Sequence, residues 1–151
     1  MNILIAGIPN VGKTSLYNII CLEDKNIIHK TIGTTRDWHV SPLKSNKNIN
    51  IYDTPGIIAK NKFLDKHINY LIKKINLILF VIDFKSNSFE NDKSLLHSLR
   101  KFGKQIILVV NKDDNIDQNI DLSSFGIKDV FYISCSHRIG IRELLFFLSK
   151  Y

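Results

Sequence analysis

Short apolar runs alternate along the chain with segments whose apolar residues recur every three or four positions. The apolar runs predict six strands, at residues 3–6, 37–43, 48–53, 77–82, 105–110 and 130–133. Helical spacing predicts four helices, at residues 13–21, 63–75, 91–102 and 139–148. Strands that alternate with helices favour an α/β fold, and a continuous apolar run is typical of a parallel strand buried on both faces.

The predicted architecture has three layers: a six-stranded, mostly parallel sheet with helices on both of its faces. Residues 37–43 and 48–53 are predicted to form a hairpin, so that one strand runs antiparallel at the edge. The polar segments 23–36 and 54–62 are predicted as loops, and 115–125 as a polar connection with a short helix at most. Ligands of such sheets bind beyond the carboxyl ends of the strands, so the residues that follow each strand are the functional candidates.

The composition is that of one ordinary globular domain, with 151 residues of which 44% are apolar and 23% charged. No apolar run approaches the roughly 18 residues of a membrane span. Cys21 and Cys135 have neither metal-ligand spacing nor the density of a disulfide framework. We therefore expect a reducing compartment and a cytoplasmic protein.

The formal net charge of +7 has two interpretations. Lys and Arg neutralise phosphates, so the charge is compatible with contact with nucleic acid. Alternatively, Lys, Asn and Ile are abundant throughout the chain, and the excess of positive charge is a property of that composition. The basic residues are scattered along the sequence without interleaved aromatic residues, and both interpretations stay open at this point.

A phosphate-loop pattern, GIPNVGKT at residues 7–14, lies between the first predicted strand and the first helix. Its glycines let the backbone approach a phosphate, and the unpaired N–H groups of the helix start bind it. Lys13 is expected to reach the β- and γ-phosphates, and Thr14 to place its hydroxyl on Mg²⁺. The predicted phosphate-binding residues are Asn10, Val11, Gly12, Lys13, Thr14 and Ser15.

Two further segments are candidates for sensing the γ-phosphate. DTPG, at residues 53–56, follows a predicted strand; Asp53 is expected to act on Mg²⁺ through water, and Gly56 to offer its backbone N–H to the phosphate. GTTRD, at residues 33–37, closes the long polar loop, and Thr35 is the candidate that coordinates Mg²⁺. A loop that is ordered by this contact and released after hydrolysis is a switching device.

The segment NKDD, at residues 111–114, predicts the base. A carboxylate at Asp114 accepts the N1–H and N2–H protons of guanine and repels the N1 acceptor of adenine, and such a site discriminates by orders of magnitude. Asn111 is expected to brace the phosphate loop, and the stem of Lys112 to cover the ring of the base.

The segment SCS follows the last predicted strand and comprises Ser134, Cys135 and Ser136. Its backbone is expected to bond O6 of guanine. Cys135 stands where a small residue is needed, and we interpret it as a packing residue rather than a nucleophile.

These segments, in this order, resemble the translation-factor-like GTPases of the Era, Der and MnmE group over essentially the whole chain. GTTRD, KFGKQIILVVNK and ISCSHRIGIRELL are similar to the first GTP-binding domain of the Der GTPases. Two segments depart from this likeness: DTPGI is closer to Era, and GTTRD is closest to MnmE, in which the domain lies deep inside a longer chain. The resemblance implies that residues 1–151 are a P-loop NTPase G domain. It further implies binding of GTP and GDP with Mg²⁺, GTP hydrolysis, and a role as a switch in biogenesis of the large ribosomal subunit.

The resemblance also implies which residues act in hydrolysis, namely Lys13, Thr35, Gly56 and Asn10. In the resembling family an asparagine at the position of Asn10 helps to hold K⁺ where an arginine finger would otherwise act. The other interpretation of Asn10 is a turn residue that tolerates unusual backbone angles. Ile57 stands where Ras-like enzymes have a water-orienting glutamine, so we expect slow intrinsic hydrolysis that K⁺ stimulates.

The implied partners are a ribosomal subunit or its rRNA, with the chain a monomer or a weak GTP-dependent dimer. Der GTPases also have a second GTPase domain and a KH-like domain, which these 151 residues do not contain. The alternative function is a GTP-binding module of low turnover in a tRNA-modification (MnmE-like) or membrane-associated Era-like complex. Binding to a ribosomal subunit would favour the first function, and stable binding to a modifying enzyme the second.

Overall fold

The computed structural model describes residues 1–21, 27–30, 37–53, 66–112, 114 and 120–151. Its strands are β1 (Asn2–Ala6), β2 (Ile27–Lys30), β3 (Asp37–Leu43), β4 (Asn46–Asp53), β5 (Leu77–Asp83), β6 (Gln105–Asn111) and β7 (Val130–Tyr132). Its helices are α1 (Lys13–Ile20), α2 (Lys66–Lys74), α3 (Glu90–Arg100) and α4 (Ile141–Ser149), with a 3₁₀ turn at Ser123–Phe125. The predicted loop 54–62 and the first residues of the predicted second helix lie outside the described residues.

The strands form one sheet in the order β2-β3-β4-β1-β5-β6-β7. Strand β1 pairs in parallel with β4 and β5, and β6 continues the parallel pairing from β5 to β7. Strand β3 runs antiparallel to both of its neighbours, β2 and β4. The predicted α/β class and mostly parallel sheet are confirmed.

The sheet has one strand more than the six predicted, because β2 forms inside a segment predicted as a loop. The antiparallel strand β3 was predicted to lie at the edge of the sheet. It lies one position inside the edge instead, because β2 pairs with its outer side. Only four residues long, β2 is too short to show an alternation of apolar and polar side chains. It is defined by its backbone pairing with β3, which runs from Ile27 opposite Val40 to Lys30 opposite Asp37.

Alternate side chains of the central strands enter two separate cores, which gives the three layers. Ile3 and Ile5 of β1 pack in the same core as α1 and α4, whereas Leu4 and Ala6 pack in the core of α2 and α3. Strand β5 is apolar at every position before Asp83 because both of its faces are covered in this way. Parallel pairing of β1, β4, β5 and β6 brings their carboxyl ends to one edge of the sheet, where the candidate site lies.

Candidate nucleotide-binding site

The phosphate loop turns from β1 into α1, and two of its glycines are required by close packing. A Cβ on Gly7 would collide with the carbonyl oxygen of Val81, and one on Gly12 with Nδ2 of Asn111. Gly12 also has φ of 96°, a left-handed conformation that L side chains rarely adopt. The loop therefore passes so close to the backbone of β5 and to the Asn111 side chain that a Cβ at either position would displace its neighbour.

Lys13 lies at the mouth of this loop with its side chain almost fully buried, at 8% exposure. Its Nζ donates to the carbonyl of Ile8 at 2.7 Å, which holds the ammonium over the loop. Burial lowers the pKa of Lys13, and the nearby carboxylate of Asp53 opposes this effect. A phosphate anion bound in the loop would supply the charge partner that a buried ammonium requires.

Thr14 and Asp53 bring two hard oxygen donors together beside the loop. The hydroxyl of Thr14 donates to Oδ2 of Asp53 at 3.0 Å, although the residues are 39 positions apart. Asp53 ends β4 and is buried, at 2% exposure. Mg²⁺ prefers oxygen ligands of this kind, so the pair fits the ion that the sequence predicts.

Asn111 joins three segments of the site at the end of β6. Its Nδ2 donates to the carbonyl of Val11 at 2.8 Å, and its Oδ1 accepts the backbone N–H of Cys135 at 3.1 Å. The side chain is 2% exposed. Because both ends of the amide are engaged, Asn111 fixes the phosphate loop and the segment after β7 at a set distance from each other.

Lys112 has a positive φ of 68° and crosses to the neighbouring strand end. Its Nζ donates to Oδ2 of Asp83 at 2.6 Å and to the carbonyl of Asn10 at 3.0 Å. Asn10 itself has φ of 69°, which fits its interpretation as a turn residue.

The carboxylate of Asp114 is surrounded by donors. Oδ1 accepts from the hydroxyl of Ser134 at 2.9 Å, with the hydroxyl of Ser136 at 3.5 Å and Nε2 of His137 at 3.8 Å. Oδ2 forms an ion pair with Nζ of Lys85 at 2.6 Å. The hydrogen bond from Lys85, followed by that from Ser134, lowers the pKa of Asp114, so the carboxylate is charged and able to accept hydrogen bonds from the N–H groups of a base.

Cys135 is half-buried between these groups and is a free thiol. Burial raises its pKa to about 11, which keeps the sulfur protonated at neutral pH. A neutral thiol is a poor nucleophile, in line with a packing role.

The structure thus brings Asn10, Lys13, Thr14, Asp53, Asn111, Lys112, Asp114 and Ser134 to one edge of the sheet. Thr35 and Gly56, predicted to sense the γ-phosphate, lie outside the described residues. The structure adds two residues that were not predicted, Asp83 and Lys85. Asp83 accepts from Nζ of Lys112 with Oδ2 and from the backbone N–H of Lys85 with Oδ1. Their position directly after the apolar run 77–82 is the signal that would have found them.

Comparison with known proteins identifies the family. The family model described as "50S ribosome-binding GTPase" matches residues 2–112, which include β1, the phosphate loop and Asn111. The chain belongs to this family of GTPases. In the described part of the chain, no helix combines the length and the apolar character needed to cross a bilayer.

Curated relatives cover nearly the whole chain. It is 38% identical to GTPase Der of a Nitratiruptor species, over 98% of this chain and 34% of the relative. It is 36% identical to GTPase Der of Legionella pneumophila (strain Lens), over 95% of this chain and 33% of the relative. The chain therefore spans about a third of the length of the curated relatives that it matches.

Solved structures share the fold. The G domain of the FeoB iron transporter of T. maritima has a TM-score of 0.74 at 27% identity, with 100% of this chain and 99% of that chain covered. A GDP-bound mutant of NFeoB from S. thermophilus has a TM-score of 0.78 at 25% identity, with 99% of this chain and 60% of that chain covered. These neighbours confirm the predicted G-domain fold.

Proposed function

We propose that residues 1–151 are a GTP-binding domain that hydrolyses GTP to GDP and phosphate and acts as a switch in assembly of the large ribosomal subunit. The observation that carries the proposal is the contact of Asn111 with both Val11 and Cys135. This contact couples the phosphate loop to the base-reading segments, as a single nucleotide that spans both would require. The relatives are Der GTPases, so the tRNA-modification and Era-like alternatives are not favoured.

In this proposal one end of the site binds the base, and the other end binds the phosphates and Mg²⁺. Asp114 accepts the two donors of guanine, while the backbone at Ser134 to Ser136 bonds O6. Lys13 exchanges the carbonyl of Ile8 for phosphate oxygens and neutralises charge on them. Thr14 and Asp53 would hold Mg²⁺, which supplies charge stabilisation at the phosphates, while Thr35 and Gly56 report the γ-phosphate.

K⁺ is part of the proposal through the side chain of Asn10. Its backbone carbonyl is taken by Lys112, whereas its exposed side-chain amide lies on the loop that would hold the phosphates. An oxygen ligand there would let K⁺ supply positive charge near the transferring phosphate. Ile57 offers no group to orient water, so we expect turnover to be slow without this ion.

A ribosomal subunit or its rRNA is the proposed partner, in the cytoplasm, with the chain a monomer or a weak GTP-dependent dimer. The chain spans about a third of the length of its Der relatives, and we propose that the second GTPase domain and KH-like domain implied by the resemblance act together with this domain.

The test is phosphate release from GTP in K⁺ against Na⁺ at equal ionic strength. We expect turnover to be several-fold faster in K⁺, and the difference to vanish in Asn10→Gly. Glycine keeps the left-handed turn without strain, so this variant removes the side chain alone. Equal rates in both salts would remove K⁺ from the proposal, and no phosphate release in either salt despite bound GTP would refute hydrolysis by this chain.

A further inference from the structure

Lysines that are scattered in the sequence come together at the end of the domain opposite the candidate nucleotide site. This lysine pole is the edge where the parallel strands begin and where helices α2, α3 and α4 end. Eight lysines lie there, of the 21 basic residues in the chain: Lys44, Lys47, Lys73, Lys74, Lys101, Lys104, Lys128 and Lys150. The topology gathers them because Lys73 and Lys74 lie in the last turn of α2, and Lys101 and Lys150 follow α3 and α4. Lys104 and Lys128 come just before β6 and β7, while Lys44 lies in the β3–β4 turn and Lys47 at the start of β4.

Contacts between distant segments show that these elements meet at one place. Nδ2 of Asn2 donates to the carbonyl of Lys74 at 3.0 Å, which joins the start of β1 to the end of α2. Nε2 of Gln105 donates to the hydroxyl of Tyr151 at 2.9 Å, which joins β6 to the chain end after α4. On the α2 and α3 side of the sheet, a cavity of about 380 Å³ is lined by Ile72, Lys73, Phe102 and Lys104.

The positive charge at the lysine pole is not neutralised within the described structure. None of the eight lysines forms an ion pair with a described residue, and the described ion pairs all lie at the nucleotide end. Asp129 is the one acidic side chain at this pole among the described residues. Seven of the eight lysines are exposed, and Lys104 is half-exposed. Such a surface attracts a polyanion.

Exposed aromatic rings accompany the charges on both sides of the sheet. Tyr70 of α2 is 62% exposed and Phe146 of α4 is 66% exposed. Each has the lysine of the next helical turn over its ring, Nζ of Lys74 and Nζ of Lys150, at 4.4 Å from the centroid in both cases. Tyr151 adds a third ring, 48% exposed. Aromatic rings beside cations are platforms on which unpaired bases stack.

We propose that the lysine pole is an RNA-binding surface that takes single-stranded or looped RNA, with lysines on the phosphates and Tyr70 and Phe146 under the bases. The choice of RNA rests on the proposed function at the ribosomal subunit. An RNA strand would use both features at once, because its phosphates bind lysines and its unpaired bases stack on aromatic rings. The pole lies away from the phosphate loop, so nucleotide and RNA can be bound at once.

The experiment measures fluorescence anisotropy of a labelled 20-nucleotide mixed-sequence RNA over a series of KCl concentrations. The pole variant is Lys74→Gln/Lys150→Gln, and its control is Lys93→Gln/Arg142→Gln, which removes the same charge from exposed sites elsewhere. We expect the pole variant to bind about tenfold more weakly than the control, with a salt slope lower by about 1.4, since each phosphate contact on a single strand contributes about 0.7.

A second variant, Tyr70→Leu/Phe146→Leu, keeps every charge. We expect its RNA affinity to fall at least about fivefold with an unchanged salt slope, because stacking is lost while the phosphate contacts remain. Equal RNA binding by the pole and control variants, or failure of the wild-type chain to bind the RNA, would overturn the proposal. Two results together would also overturn it: the leucine variant binds RNA as tightly as the wild-type chain does, and it binds vesicles with 30% phosphatidylglycerol as tightly as the wild-type chain does.

GDP binding is measured on every variant, with Mg²⁺ present. A wild-type chain that binds no GDP refutes the proposed function. Normal GDP binding, together with equal RNA affinity of the pole variant and the control variant, would refute this inference alone.

Discussion

Removal of the Asn111 side chain is the perturbation whose cost follows most directly from the structure. Asn111→Ala deletes two hydrogen bonds, to the carbonyl of Val11 and from the N–H of Cys135, and leaves both backbone groups without that partner. The buried carbonyl of Val11, left unsatisfied, costs about 1–3 kcal/mol, and loss of the part-buried bond from Cys135 adds about 0.5–1.5 kcal/mol, so we predict a loss of about 1.5–4.5 kcal/mol. Small domains have a total stability of about 5–15 kcal/mol, so this loss is large.

The assay is urea unfolding of the nucleotide-free chain, followed by circular dichroism. Asn87→Ala is the matched control, because Asn87 is exposed and we expect its removal to cost less than about 0.5 kcal/mol. We also expect Asn111→Ala to weaken GDP binding, since the phosphate loop and the base-reading segments lose their common support. A loss of stability below about 1 kcal/mol, with m unchanged, would refute the claim that Asn111 holds these segments together.

Three further predictions concern the groups around this site and a neighbouring helix. Lys85→Ala should raise GDP affinity about two- to fivefold in a fluorescent-nucleotide titration, because the exposed ion pair, which is weak in water, no longer competes with guanine for Asp114. Weaker GDP binding by this variant would contradict the prediction. Gly12→Ala should destabilise the chain to urea and abolish GDP binding, because its Cβ collides with Asn111; normal GDP affinity would contradict this. Burial raises the pKa of Asp92 to about 6. The folded state therefore holds this proton more tightly than the unfolded state, so the contribution of Asp92 to stability falls as pH rises from about 4 to 6 and does not change further above that. Asp92→Asn should lack this decline in urea unfolding across that range, and parallel pH profiles of variant and wild type would count against it.

The sequence predicts those strands and site segments that consist of consecutive residues. Apolar runs locate the central strands because both of their faces are buried, and the segments that follow them contain Lys13, Asn111 and Asp114. Their arrival at one edge follows from parallel pairing. The short β2 was not predicted, because its pairing with β3 is made by the backbone and leaves no side-chain pattern.

Features made by neighbouring strand ends were not visible in the sequence. The bond from Lys112 to Asp83 depends on β5 and β6 being adjacent in a register that sets Asp83 beside Asn111. The ion pair of Lys85 with Asp114 depends on the same adjacency. The lysine pole has a similar origin: its residues are spread from position 44 to position 150, and only the fold shows that they share one end of the domain.

The central claim is that this chain binds guanine nucleotide, and calorimetric titration with GDP and with ADP in the presence of Mg²⁺ tests it most directly. The account predicts one GDP per chain and affinity for ADP at least about 100-fold weaker, because Asp114 pairs with the donor edge of guanine and repels adenine. Absence of GDP binding, or equal affinity for the two nucleotides, would contradict it.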